Sequence, residues 1–154
     1  MHSPILSPWI GIGFFLATCA AALWKGGRDE RIVAVAFLLN TAISYALLDH
    51  RWSGTQWGEF VADAIFFLVL AVVALRSRSY WPIAAAGFQL LAILTHAAST
   101  VDRHLGAWAY ITAGIIWTQL VTFSLAIGTY NHWRARRQLA AMDAAIADPG
   151  ATRL

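Results

Sequence analysis

Five long apolar stretches separated by short polar gaps account for most of the chain: Ile5 to Trp24, Ile32 to Leu48, Trp57 to Leu75, Tyr80 to Ala98 and Ala107 to Tyr130. An α-helix rises 1.5 Å per residue, so about 20 mostly apolar residues cross about 30 Å of hydrocarbon, and about 17 suffice. Each stretch meets that length. None alternates with a period of two, as a lipid-facing barrel strand would, and in hydrocarbon only a helix satisfies its backbone polar groups within one segment. The gaps are turn-like. "KGGRDER" holds a Gly-Gly pair, "RSRS" is very short, and "DHRWSGTQ" ends in Ser53-Gly54-Thr55-Gln56, a capping-box pattern for the helix that follows. Short links make successive helices antiparallel neighbours. The pattern therefore predicts an all-α integral membrane protein: five transmembrane helices in a compact antiparallel bundle over residues 1–131, then a basic, partly helical tail over 132–154. The last helix is expected to run on to about Ala147, where Asp148-Pro149-Gly150 stops it.

Composition agrees. The 154 residues are 59% hydrophobic and 12% charged, against about a quarter charged in an ordinary soluble domain. The net charge of +3 is small, and its placement is more informative. Lys25, Arg28 and Arg31, then Arg76 and Arg78, then Arg134, Arg136 and Arg137 fall in alternate gaps, whereas the other gaps hold only Arg51 and Arg103. The positive-inside rule then sets the N-terminus outside and the C-terminus in the cytoplasm, in the inner (cytoplasmic) membrane of a bacterium. Tryptophans, which favour the headgroup level, fit the same frame: Trp9, Trp52, Trp57 and Trp108 at outer ends, Trp24, Trp81 and Trp133 at inner ends, and Trp117 within a span. The absence of a basic residue ahead of the first stretch favours a retained span over a cleaved signal peptide. Arg134, Arg136 and Arg137 are expected at anionic lipid headgroups. No nucleic-acid-binding module is recognisable, so the basic charge is assigned to the membrane surface. Cys19 is the sole cysteine and lies in an apolar run, which rules out an intramolecular disulfide.

Against this apolar background a few polar residues stand out. Glu59 and Asp63, four apart in "EFVADAIFFLVLAVVAL", share one helix face. Glu59 falls at the water boundary, but Asp63 is six residues past Trp57, about 9 Å deep, and needs a partner. His96, fifteen residues from Trp81, stops about 8 Å short of the same edge and is the candidate on depth. Asp49, His50, Asp102 and His104 gather at that end as well. Asn40, Gln89 and Gln119 are expected nearer the midplane as a layer of structural amides bridging helices. Gly13, Ala17 and Ala21, and the run Ala84 to Gly87, offer small-residue packing surfaces.

These residues support several chemistries. Asp63, His96 and Glu59 suit a cation, metal or proton site, since imidazole and carboxylate together fit a first-row transition metal. Without any H-x-x-H, E-x-x-H or C-x-x-C spacing, such a site depends wholly on tertiary geometry, and a structural Asp63–His96 bridge is the competing assignment. Ala92-x-x-x-His96 resembles the spacing in bacteriochlorophyll-binding antenna helices, which would make His96 a pigment ligand, although those polypeptides have one span. A bis-histidine haem would need a second histidine within another span, and none is present. No nucleophile elbow, phosphate-cradling glycine loop or metalloprotease helix appears, so catalysis has no support. The expectation is a non-enzymatic scaffold, stabilising or accessory subunit of a larger membrane complex, with the lipid bilayer and other membrane subunits as partners, no nucleic acid, and no cofactor that the sequence identifies. The alternative is an outward-facing cation or proton site centred on Asp63 and His96; pigment ligation by His96 ranks below it.

Overall fold

The computed structural model describes residues 8–47, 57–101 and 107–147. Five helices occupy them: α1 (Pro8–Lys25), α2 (Arg28–Leu47), α3 (Trp57–Arg76), α4 (Trp81–Val101) and α5 (Ala107–Ala147). Each expected stretch is a helix over its described residues, and no strand occurs among the described residues. The helix starting at Arg28 begins a turn earlier than the apolar pattern suggests. Glu30 explains this: its Oε2 accepts the Gly27 backbone N–H at 3.0 Å, the reach-back half of a capping box, with Gly27 as N-cap and Glu30 at the third helical position. Gly26 ends α1 by donating its N–H to the Ala22 carbonyl at 3.0 Å. The α1–α2 connection thus needs only two residues.

Three helices are long and apolar enough to span a membrane: Gly58–Arg76, Trp81–Ala98 and Ala109–Ala147. The expectation of five is met at the level of helices but not of that signature. The apolar part of α1, Trp9–Lys25, is slightly short, and α2 opens with the charged turn Arg28-Asp29-Glu30-Arg31, which dilutes its apolar length. The capping-box segment 53–56, together with Asp49, His50, Arg51, Trp52, Asp102, Arg103 and His104, lies outside the described residues.

The helices form a closed ring of neighbours: α1 packs on α2, α2 on α3, α3 on α4, α4 on α5 and α5 back on α1, with α2 also meeting α5 across the middle. Inside lies an apolar core. Phe15, Phe37 and Phe66 join α1, α2 and α3 through ring centroids 4.8 and 5.0 Å apart, and Cys19, Leu70, Val121 and Leu125 fill the space beyond. Hydroxyl groups that face inward turn back on their own helix: Thr122, Ser124 and Thr129 donate to the carbonyls of Thr118, Leu120 and Leu125, so they are buried at little cost. The outside is apolar too, with Ile65, Leu68, Leu94 and Ile115 all exposed. A bundle with buried polar groups and a greasy exterior is suited to lipid rather than water.

Candidate functional site

Near the end of the bundle where α3 begins, four helices are joined by one chain of hydrogen bonds. Asp63 of α3 is its centre. Its Oδ1 accepts from Asn40 Nδ2 of α2 at 2.9 Å, and its Oδ2 lies 3.0 Å from His96 Nε2 of α4. The other ring nitrogen, His96 Nδ1, is 2.6 Å from the Tyr110 hydroxyl of α5. Gln89 Nε2 of α4 adds a longer bond, 3.4 Å, to the Asp63 backbone carbonyl. The His96 and Asp63 side chains are only 11% and 17% exposed, and Phe60 and Tyr110 set their rings edge-on to the imidazole at 6.4 and 5.4 Å. In that setting each unpaired polar group would cost more than its hydrogen bond returns, which is why the partners come as a set.

A neutral imidazole satisfies the chain completely: Nε2–H donates to the carboxylate while Nδ1 accepts from the phenol. Adding a proton to Nδ1 breaks nothing, because the Tyr110 oxygen then accepts instead of donating. The pair becomes Asp⁻ and His⁺, with no net charge in the low-dielectric interior. Both ring nitrogens are engaged, so neither is free to ligate a pigment magnesium or haem iron unless a bond in the chain is given up. Tyr110→Phe is expected to reduce stability in detergent by about 0.6 to 2 kcal/mol, the range for one hydrogen bond between membrane helices. An unfolding titration checks it, and a change below that range would mean that the 2.6 Å contact carries no weight.

The other sequence candidates divide. Glu59, one turn before Asp63 on α3, is half-buried and interacts electrostatically with His96 and Asp63. Among the described residues, however, no three His, Cys, Asp or Glu side chains converge to hold a metal ion. The expected midplane layer of amides is split. Asn40 and Gln89 both serve Asp63, whereas Gln119 lies on the α1–α5 seam, where a Cβ added to Gly11 would meet its Nε2 at 2.9 Å. Asn40 lies twelve residues past Arg28, about 18 Å up α2, and there it bridges to Asp63 on α3. Its Oδ1 is buried and accepts no hydrogen bond among the described residues. Tyr110 was missed: two residues past Trp108, its backbone is only about 3 Å in by the same arithmetic, and it is the long side chain that brings the hydroxyl to His96. Trp117 Nε1 donates to Thr95 Oγ1 at 3.1 Å, which satisfies the tryptophan within a span.

A second polar knot occupies the opposite end, where Trp81 opens α4. The ring of Trp81 is buried within the bundle, and its Nε1–H donates to Glu30 Oε1 at 3.2 Å. Gly128 of α5 makes the room: a Cβ there would come within 2.6 Å of the indole. Glu30, itself buried, therefore accepts from both the indole and the Gly27 N–H. The arginines expected at headgroups also differ from one another. The Arg137 guanidinium lies 4.3 Å from the Trp133 ring centroid, Arg136 lines a cleft, and Arg134 is exposed.

Comparison with known protein families, curated proteins and solved structures finds no match to this chain.

Proposed function

We propose that this chain is an integral membrane scaffold or accessory subunit that works within a larger membrane assembly. All five helices cross the bilayer in this reading, α1 and α2 being about 27 and 30 Å long at 1.5 Å per residue. The N-terminus is outside and the C-terminus cytoplasmic, in the inner membrane of a bacterium. Support comes from the end at which α1 turns into α2: Gly27 abuts His132 and Glu30 binds Trp81, so the basic α1–α2, α3–α4 and α5 segments gather on one side.

One observation carries the proposal. The helix α5 continues for 41 residues, about 60 Å and twice the hydrocarbon thickness. Its last stretch, residues 134–147, is wholly exposed. Ala135, Leu139, Met142 and Ile146 repeat there at intervals of four, three and four, the seam of a two-helix coiled coil, with Arg136, Arg137 and Asp143 off it. Such a stripe suits a helix of another subunit. The Asp63 chain fits the same role, because its hydrogen bonds tie four helices together. Extracted in mild detergent, the native chain is expected to migrate within an assembly containing a second polypeptide, and Leu139→Glu with Ile146→Glu is expected to release it as a folded monomer. A native chain that purifies alone as a monodisperse monomer, with no other complex lost on its deletion, would refute the proposal.

A second reading is favoured by the Tyr110–His96–Asp63 geometry: an outward-facing proton site. The chain can take up a proton without losing a hydrogen bond, Glu59 lies within electrostatic reach, and Asn40 Oδ1 offers an unfilled acceptor beside the carboxylate. Asp63→Asn separates the two. It keeps the hydrogen-bonding shape, so a scaffold survives it and a proton site does not.

A further inference from the structure

An open cleft of about 740 Å³ lies between the α1–α2 turn and α5, lined by Gly26, Gly27, Arg28, Arg31, His132 and Arg136, with Ile32 at its side. Its charge is one-sided. No carboxylate of a described residue lies within ion-pairing distance of Arg28, Arg31 or Arg136. Both oxygens of the neighbouring Glu30 are taken, by the Trp81 indole and the Gly27 N–H, and Asp29 lines a second cleft, between α2 and α3, which Arg28 borders as well. Three guanidinium groups from two helices, which cannot be neutralised by losing a proton, thus face one volume. Guanidinium is the side-chain group best matched to phosphate, with two parallel N–H donors per contact.

We propose that this cleft binds a phosphate group, supplied by the headgroup of an anionic lipid. The surroundings favour the lipid as the source. At the same end Lys25 Nζ lies 5.8 Å from the Trp24 ring centroid and 5.5 Å from that of Trp133, and Arg137 covers Trp133. This cluster of basic and aromatic side chains is what anchors a helix end at the headgroup level. Asp29 and Glu30 already answer the positive end of the α2 dipole, so the attraction comes from the arginines and not from the helix terminus. Ile32, itself exposed, gives the cleft an apolar wall against which an acyl chain can lie. The inference is independent of the role assigned to the Asp63 chain at the other end.

The test uses the delipidated full-length protein in neutral detergent, offered phosphatidylglycerol or phosphatidylcholine at equal concentration, with bound lipid counted by native mass spectrometry. Phosphatidylglycerol is expected to bind about tenfold more tightly, and Arg28→Gln, Arg31→Gln or Arg136→Gln each to weaken it by about fivefold, the effect of one basic residue at a membrane surface. Arg78→Gln, which removes the same charge at the same end but outside the cleft, is expected to change little. Displacement of the lipid by millimolar inorganic phosphate would support the phosphate site while assigning it to a soluble anion. Equal binding of the two lipids, or an Arg78→Gln effect as large as that of Arg31→Gln, would overturn the proposal.

Discussion

Asp63→Ala is expected to lower the unfolding free energy of the bundle in mild detergent by about 3 kcal/mol, whereas Asp63→Asn lowers it by about 1 kcal/mol. The difference follows from which partners are left behind. Alanine removes both carboxylate oxygens, so Asn40 Nδ2 and His96 Nε2, held at 2.9 and 3.0 Å, lose their acceptors together. Hydrogen bonds between membrane helices contribute about 0.6 to 2 kcal/mol each, and a buried donor left without an acceptor adds a penalty of about 1 to 3 kcal/mol. Asparagine has the same shape, still accepts from Asn40, and can donate to His96 in its other tautomer. Equal losses in the two variants would mean that charge and not hydrogen-bond geometry secures α3, and a loss below about 0.5 kcal/mol in the alanine variant would mean that the chain does not hold the helices at all.

The second large effect is at the other end. Gly128→Ala is expected to destabilise the protein by about 3 kcal/mol, measured in the same way. The added methyl would sit 2.6 Å from three atoms of the Trp81 indole, well inside van der Waals contact. A buried indole has no free direction to swing, and overpacking of this kind costs about 1 to 3 kcal/mol. Any shift of the ring also lengthens its 3.2 Å bond to Glu30 and leaves that buried carboxylate oxygen without a donor, a further penalty of about 1 to 3 kcal/mol. Tryptophan fluorescence should shift to the red as the ring moves outward. Adding Trp81→Leu to Gly128→Ala should then cost little more, because the clash disappears with the ring; full additivity of the two would contradict the account.

The helices were legible because length and continuous hydrophobicity define them with little help from tertiary structure. The run of α5 as far as Ala147, the last described residue, was legible because the sequence up to there holds no helix breaker, the first being Asp148-Pro149-Gly150. Depth arithmetic anchored on Trp57 and Trp81 put Asp63 and His96 at one level and made His96 the candidate partner, and the structure joins them at 3.0 Å. Trp81 served as the anchor for His96 because it is the first residue of α4, although its ring is buried within the bundle.

What was not legible depends on the meeting of distant segments. The space for Trp81 is made by Gly128 of another helix, which no local pattern around Trp81 reports. Glu30 looked like one charge in a basic loop; the Gly27-x-x-Glu30 spacing was available as a capping signal, but its second bond, to Trp81, is tertiary. That Asn40 bridges helices was legible, but its partner Asp63 on α3 was not, because that pairing is tertiary. The cleft formed by Arg28, Arg31 and Arg136 arises only because the first turn of α2 meets α5, whereas in sequence these residues belong to separate basic gaps.

A double-mutant cycle between Asp63 and His96 is the most direct test of the central claim, that a buried carboxylate and imidazole hold these helices together. Unfolding free energies of the native chain, Asp63→Ala, His96→Ala and the double variant give the coupling, with effects of Tyr110 and Asn40 cancelling around the cycle. The account predicts a coupling of about 1 to 3 kcal/mol, the double variant being less destabilised than the sum of the singles. Losses that add to within about 0.5 kcal/mol would contradict it.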